Sequence, residues 1–132
     1  TWIIKDKLSL TKMKSSLKYL NGVQDFSSFR SSGCQAKSPI RNIINTSIIK
    51  NKNIIIFSIT ANAFLYHMVR NIVGTIVDIG SNKILPSELR NIINKKDRKF
   101  CSKMAPSNGL FLWKVSYPSK YKINYNSESI LL

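Results

Sequence analysis

The feature that most limits how this chain can fold is a broad apolar stripe between Ala63 and Gly80. Its members recur at the three- and four-residue spacing of a helix face: Leu65, Met68, Val69, Ile72, Val73, Ile76 and Val77. A stripe this wide is buried only when other elements cover it. We therefore predict one amphipathic helix over residues 63–80, packed at the centre of a core. The other face of this helix carries His67, Arg70, Asn71, Gly74 and Asp78.

Shorter elements surround this helix in the sequence. Leucine and methionine recur at helical spacing up to residue 20, behind Ser9 or Thr11 as a cap, and predict a first helix. Two segments rich in β-branched residues, Ile40–Ile49 and Ile54–Asn62, predict a β-hairpin. The remaining predicted elements are a helix opened by Pro86, a short helix over Lys95–Met104 and a strand over Leu110–Tyr117.

This order of elements is typical of an α+β domain. With the opening Trp2–Ile4 segment as an edge strand, it predicts an antiparallel four-stranded sheet with helices packed on one face. The sequence becomes polar after Pro118. We therefore expect one domain over residues 1–118 and a polar carboxyl-terminal tail over residues 119–132.

Charge restricts the class of partner. The 132 residues include 21 Lys and Arg but only 6 Asp and Glu, a net charge of +15, which favours nucleic acid or another anionic surface. A membrane-surface role is the weaker interpretation, because the most apolar helix carries only Arg70 as a cation on its polar face. No apolar run is long enough to cross a bilayer, so we expect a cytoplasmic location and no membrane partner.

Metal and cofactor sites are not predicted. With one histidine and two cysteines, the chain lacks the four clustered ligands of a structural zinc site. Cys34 and Cys101 lie far apart in a Lys-rich chain and are expected to be reduced thiols. The sequence also has no phosphate loop and no dinucleotide-binding fingerprint.

Arg70 is the most informative charged residue of the central helix. It lies one turn after His67, and Gly74 on the same face would leave room beside its guanidinium. An Arg that is partly buried needs an anionic partner. That partner is either one of the few acids of this domain or a carboxylate or phosphate from outside the chain. His67 lacks an orienting partner and is interpreted as a surface or interface residue rather than a general base.

Residues 26–37 form the second candidate region, a Ser- and Gly-rich segment predicted to be an ordered loop. The cations in and just after it are Arg30, Lys37 and Arg41. Cations that alternate with aromatic residues suit a phosphate backbone and a stacked base. In the alternative interpretation, Phe26 and Phe29 anchor the loop to the core and only the cations face outward.

Three segments, taken in order, resemble one known family. They are N-G-V-Q-D-F-S-S-F-R with S-S-G-C-Q-A-K-S-P (residues 21–39), A-N-A-F-L-Y-H-M-V-R-N-I-V-G-T-I (61–76), and K-D-R (96–98) with A-P-S-N-G-L (105–110). Together they resemble the carboxyl-terminal half of the tRNA pseudouridine synthase A family (TruA), from Trp2 to about Tyr121. The most specific feature is F-L-Y-H-M-V-R-N-I-V-G-T joined to D-F-S-S-F-R.

The resemblance implies an activity and an architecture. Members of this family isomerise uridine to pseudouridine at positions 38 to 40 of the tRNA anticodon stem-loop, with no cofactor and no metal. The chain would then be one ferredoxin-like, RRM-like half of a synthase. The whole enzyme would be a homodimer of two-domain chains whose sheets meet around a basic cleft.

The resemblance also implies site residues. The RNA-binding set that we expect is Arg30, Ser31, Ser32, Gly33, Cys34, Lys37 and Arg41. His67, Arg70 and Asn71 are expected to form a wall of the active site. Within that wall, Arg70 is implied to pair with the essential carboxylate of the family.

The sequence departs from the family where the chemistry lies. The essential aspartate of the family belongs to an R-T-D-x-G-V-H-A motif in the amino-terminal half, and the tyrosine that stacks on the target uracil lies there too. Neither motif occurs in this chain, which begins with Thr1. We therefore expect the chain by itself to be inactive and to work with the amino-terminal half of the same enzyme. A non-catalytic basic RNA-binding module is the alternative.

Overall fold

The computed structural model describes residues 2–112 and 130–131. The chain divides into two compact units. One unit is Ile4–Ala105, which carries the helices and the main sheet. The other unit joins the two ends of the chain, and its described residues are 2–3, 106–112 and 130–131.

The larger unit contains three helices and three strands among its described residues. In chain order they are α1 (Leu10–Ser16), β1 (Gly22–Asp25), β2 (Ile40–Asn51), β3 (Ile54–Ala61), α2 (Met68–Gly80) and α3 (Glu88–Lys95). The predicted cap of α1 is confirmed, because Ser9 Oγ accepts from the N–H of Lys12 at 3.3 Å. The longest described helix, α2, has 13 residues, and no described helix is long and apolar enough to cross a bilayer.

The three strands form one antiparallel sheet in the order β1–β2–β3. The predicted hairpin of β2 and β3 is confirmed, with Ile49 opposite Ile56 and a register shift between Ile43 and Asn45. Burial alternates along β3. Ile55 and every second residue after it pack against the core, whereas Ile54 and Ile56 lie on the exposed face. The helices therefore cover one face of the sheet.

Two predicted elements differ in the structure. Among the described residues the main sheet has three strands rather than four, and Trp2–Ile4 forms no strand. Where a short helix was predicted over Lys95–Met104, the structure has one 3₁₀ turn at Arg98–Phe100, capped by Asp97. The α+β class itself is confirmed.

The predicted strand Leu110–Tyr117 is described only in part. Its described portion in the smaller unit is β4 (Phe111–Leu112), which pairs antiparallel with β5 (Ile130–Leu131). Residues 113–117 of the predicted strand, and the predicted tail apart from β5, lie outside the described residues.

Helix α2 begins later than the apolar stripe predicts. His67 precedes it with a left-handed backbone (φ 60°), so the segment 63–67 is not helical. The fully buried side chains of α2 are three members of the stripe, two polar residues and Ile79, which lies outside the stripe: Met68, Ile72, Ile76, Asn71, Thr75 and Ile79. The three valines of the stripe are only half-buried. The buried face of α2 is therefore rotated from the predicted stripe, and Asn71 and Gly74, which were predicted on the other face, are buried.

Gly74 permits a close backbone approach in the larger unit's core. A Cβ at Gly74 would lie 2.0 Å from the carbonyl oxygen of Lys103 and 3.3 Å from the nitrogen of Ala105. The segment 103–105 is therefore packed directly on the backbone of α2. Gly80, in the same helix, faces a different neighbour, because its Cβ would meet the Met13 sulfur at 2.7 Å.

We expect Gly74→Ala and Gly80→Ala to have very different effects on stability. Alanine favours a helix over glycine by about 1 kcal/mol at either site. At Gly74 the clash is with backbone, so we expect a net loss of about 2 kcal/mol or more of the free energy of unfolding. At Gly80 the flexible end of Met13 can move, and the net change should be within about 1 kcal/mol. Urea unfolding measures the free energy of unfolding of both variants. Equal unfolding midpoints for the two variants would contradict the close packing of the 103–105 segment.

Candidate nucleic-acid interface at the start of helix α2

The loop between β1 and β2 is anchored by its aromatic residues. Phe26 and Phe29 are both fully buried, with ring centroids 6.3 Å apart. Asp25 Oδ1 accepts hydrogen bonds from the N–H of Ser27 at 2.8 Å and from its hydroxyl at 2.6 Å, which fixes the 3₁₀ turn Ser27–Phe29. Of the two interpretations left open by the sequence, the core-anchor interpretation is therefore the one that the structure supports.

Asn71 joins this loop to α2. Its side-chain amide donates to the carbonyl of Phe29 at 2.7 Å and to the hydroxyl of Ser31 at 3.3 Å. The N–H of Ser31 in turn donates to the carbonyl of Tyr66 at 3.3 Å. Asn71 is fully buried, so it positions the loop rather than presenting its own amide at the surface.

Arg30 and Arg41 hold the backbone of the loop. Arg30 donates through Nη2 to the carbonyl oxygens of Cys34 and Ala36. Arg41 donates through Nη1 to the carbonyls of Ser38 at 2.9 Å and of Ile40 at 2.7 Å. The two guanidinium groups therefore close the loop on itself and give it positive charge.

The rest of the predicted RNA-binding set lies along the same loop. Ser32, Gly33 and Lys37 are exposed, and Ser31 and Cys34 are half-exposed. Gly33 has a left-handed backbone (φ 86°), which favours glycine at the turn of the loop. Lys37 has no hydrogen bond or ion pair to another described residue, which leaves its ammonium group available to a ligand.

Arg70 is held by the segment 103–105 rather than by an acid. Its Nε donates to the carbonyl of Ala105 at 2.9 Å, and the N–H of Ala105 donates back to the carbonyl of Arg70 at 3.0 Å. The ion pairs among the described residues join Lys83 to Asp78 and Lys99 to Asp97. Arg70 is therefore oriented through Nε, and its two Nη groups have no partner within the described part of the chain.

The role predicted for Gly74 needs correction. Its missing side chain leaves room for the backbone of Lys103 and Ala105, not for the guanidinium of Arg70. The effect on Arg70 is indirect, because this close approach places the Ala105 carbonyl within reach of Nε.

His67 lies at the start of α2 and stacks on Tyr66, with ring centroids 3.7 Å apart. Burial, and then the nearby charge of Arg70, lower the pKa of His67, so the ring is neutral at pH 7. The first turn of α2 has no acidic residue and no side-chain cap. The positive end of the helix therefore adds to the charge of Arg70 and favours an anionic group at this point.

The described residues bring part of the predicted site together. Hydrogen bonds join the loop, at Phe29 and Ser31, to Asn71 and Tyr66, and His67 and Arg70 lie at the start of the same helix. No group of three or more His, Cys, Asp or Glu residues suited to a metal ion occurs in the part of the chain that the structure describes. The arrangement is suited to binding and orienting an anion rather than to covalent chemistry by its own side chains.

Two residues that the sequence analysis did not single out support this surface. Ser28 is fully buried, donates to the carbonyl of Ile92 at 2.5 Å and accepts from the N–H of Asp97 at 3.0 Å. It ties the loop to α3 and to the turn that follows. Ala105 opens the A-P-S-N-G-L segment of the resemblance, but its contacts with Arg70 are made by backbone atoms, which its side chain does not indicate.

The two cysteines are expected to differ in reactivity. Hydrogen bonds from the backbone of Tyr66 and Ala36, and then Arg30, lower the pKa of Cys34, whereas burial raises the pKa of Cys101. Because the thiolate is the reactive form, iodoacetamide at pH 7.5 should alkylate Cys34 several-fold faster than Cys101. Arg30→Ala removes a cation and a donor, so it should raise the pKa of Cys34 and slow its alkylation.

Mass spectrometry of the labelled peptides measures both rates, and Cys34→Ser assigns the fast one. If Cys101 were labelled as fast as Cys34, the described packing of the loop against Tyr66 would be contradicted.

Comparison with known proteins gives matches over these same residues. A family model described as tRNA pseudouridine synthase matches residues 17–118. The chain is 44% identical over 117 residues to a tRNA pseudouridine synthase A of Buchnera aphidicola subsp. Schizaphis graminum, which is 89% of this chain and 44% of that protein.

Proteins of the same name from other bacteria are also similar. The one from Janthinobacterium sp. (strain Marseille) is 38% identical over 92% of this chain and 45% of its own length. The one from Legionella pneumophila (strain Corby) is 43% identical over 82% of this chain and 41% of its own length. The chain thus spans less than half the length of these relatives. Because the family match covers most of the chain, including the loop, α2 and the 103–105 segment, this chain belongs to the tRNA pseudouridine synthase family.

Proposed function

We propose that this chain is the carboxyl-terminal half of a tRNA pseudouridine synthase that isomerises uridine to pseudouridine at positions 38–40 of the anticodon stem-loop. The observation that carries the proposal is Arg70, which is oriented through Nε and has no acidic partner among the described residues. An oriented guanidinium with free Nη groups is suited to a carboxylate from outside this part of the chain. In the proposal that carboxylate is the essential aspartate of the amino-terminal half.

The proposed division of labour follows from charge. Arg70 beside the aspartate would keep it ionised at neutral pH, since an opposite charge lowers a carboxylate pKa. The loop Arg30–Lys37 would hold the phosphate backbone of the anticodon arm. The target uridine would be flipped out of its stack to reach the aspartate.

The remaining expectations stay predictions. They are a domain over residues 1–118 with a tail over 119–132, a fourth strand in the sheet, a homodimer, a cytoplasmic location, and a reaction without metal or cofactor. The relatives are more than twice as long as the segment that aligns with them, which leaves room for the amino-terminal half in such a protein.

A non-catalytic RNA-binding module is the second candidate. It is favoured by the absence, within the described residues, of any acid beside His67 or Arg70. The two functions separate in one assay, since only the synthase converts uridine in a tRNA transcript when the natural full-length polypeptide is used.

Arg70→Ala in the full-length polypeptide should reduce turnover by tenfold or more while changing tRNA affinity much less. Loss of the cation raises the carboxylate pKa, so the acid limb of the pH–rate profile should move up by about one unit. Activity should therefore be lost at a higher pH as the solution is acidified. Pseudouridine formation in the anticodon arm, measured against pH, tests both effects.

Arg70→Lys is the matched control for this prediction. It keeps the positive charge but loses the fixed direction given by the bond from Nε to Ala105. We expect it to keep more of the low-pH activity than Arg70→Ala. Equal losses of affinity and turnover in Arg70→Ala would show a simple backbone contact and refute the active-site role.

Lys37→Ala should lower the slope of log affinity for tRNA against log salt by about one unit, because one phosphate contact is lost. Adding Arg30→Ala should lower it by about two units in total. Lys83→Ala is the control, since Lys83 lies beyond the other end of α2 and pairs with Asp78. An unchanged slope in the double variant would mean that the loop does not contact RNA.

A further inference from the structure

A second basic surface lies between the end of α1 and α3, and it shares no residue with the loop site. It is an open cleft of about 350 Å³ lined by Lys18, Tyr19, Asn21, Gln24, Arg90 and Asn94. All of its lining side chains are cationic, aromatic or amide-bearing, and none is acidic. The interface at the start of α2 does not account for this cleft.

Tyr19 organises the two cations of the cleft. The Nζ of Lys18 lies 5.2 Å from the centroid of the Tyr19 ring, and the Cζ of Arg90 lies 5.5 Å from it. Both distances are within the range of cation–π attraction. The ring therefore holds together two like charges that come from different elements, which would otherwise repel one another.

Gln24 fixes the backbone under the cleft. Its amide nitrogen donates to the carbonyls of Tyr19 at 2.9 Å, Leu20 at 3.1 Å and Asn21 at 3.3 Å. The two hydrogens of this NH₂ group are shared among the three carbonyls, which ties the turn between α1 and β1 to the strand. The position of the Tyr19 ring is therefore set by the strand as well as by the helix.

The charge of the cleft is not neutralised by the neighbouring acid. Glu88 lies on the same helix as Arg90, but its carboxylate accepts from the Asn91 amide at 3.3 Å. Neither Lys18 nor Arg90 takes part in an ion pair among the described residues. The side-chain oxygen of Asn21 accepts from the Thr46 hydroxyl at 3.2 Å, which leaves its NH₂ group as a further donor.

We propose that this cleft binds phosphodiester groups of RNA, as a second tRNA contact beyond the loop site. This inference rests on the proposed tRNA function and extends it, because it places the anionic ligand on a second part of the surface. Two cations beside one aromatic ring, with the NH₂ group of Asn21 as a neutral donor in the same cleft, are suited to successive phosphates of one strand. An open cleft suits an extended polyanion better than a small ligand, which would be enclosed.

The test compares two double variants of the full-length polypeptide that lose the same charge. Lys18→Gln with Arg90→Gln should lower the salt slope of tRNA affinity by about two units and weaken binding at least tenfold at 0.15 M salt. Lys50→Gln with Lys83→Gln removes two exposed cations elsewhere and should change the slope by much less. Circular dichroism confirms that both variants are folded.

The outcomes separate this inference from the function on which it rests. If the unmodified protein binds tRNA with a steep salt slope and the Lys18/Arg90 variant does the same, the cleft proposal is overturned and the tRNA function stands. If the unmodified protein does not bind tRNA at all, the cleft proposal and the proposed tRNA function are both refuted. An equal loss in the two double variants would show a general charge effect and would also overturn the cleft proposal.

A second measurement distinguishes RNA from free phosphate. Side-chain amide signals of Asn21, Gln24 and Asn94 in nuclear magnetic resonance spectra should shift with an anticodon stem-loop RNA at micromolar concentration. Inorganic phosphate should shift them only at much higher concentration. Saturation by inorganic phosphate with no response to RNA would assign the cleft to a small phosphate ligand and refute the proposal.

Discussion

The candidate site depends on one buried side chain, the amide of Asn71. Its NH₂ group donates to the carbonyl of Phe29 and reaches Ser31, so the loop and α2 are joined inside the core. Its oxygen is buried and has no partner among the described residues. An unpaired buried acceptor costs about 1–3 kcal/mol, while each hydrogen bond contributes about 1 kcal/mol. The Asn71 side chain thus stabilises the fold less than an apolar side chain at this position could. Its contribution is to hold the loop in a fixed position.

The order and type of the larger elements could be predicted from the sequence, because they rest on local periodicity. The hairpin follows from two β-branched runs, and α2 follows from its apolar stripe. The start of α2 could not be predicted, since the left-handed backbone of His67 is set by its contacts rather than by hydrophobic spacing. Strand β1 was missed because four residues, Gly22–Asp25, are too short to show a period.

The sequence named candidate residues for the site but could not give their geometry. Family resemblance indicated Arg70, and the structure adds that Ala105, thirty-five residues further along the chain, holds its Nε. That contact depends on Gly74, which lets the 103–105 backbone lie on the helix. A contact between residues so far apart in the chain leaves no periodic pattern in a single sequence. A contact through a backbone carbonyl is also not indicated by the type of side chain. The sequence could therefore name Arg70 but could not show what orients it.

Four of the five acids among the described residues are used for local structure, and this affects where positive charge remains. Asp25 fixes a turn, Asp97 caps the Arg98–Phe100 turn, Asp78 pairs with Lys83, and Glu88 bonds Asn91. The lining of the Lys18–Arg90 cleft contains none of these acids, and at the loop site the Asp25 carboxylate is bonded to Ser27 rather than to a cation. A domain of net charge +15 repels itself when its cations have no counter-charge. An anion that binds the folded arrangement of cations more tightly than the unfolded chain would relieve that repulsion and stabilise the fold. If the proposed tRNA contacts exist, binding and folding would therefore be coupled through the same cations, at the loop and at the Lys18–Arg90 cleft.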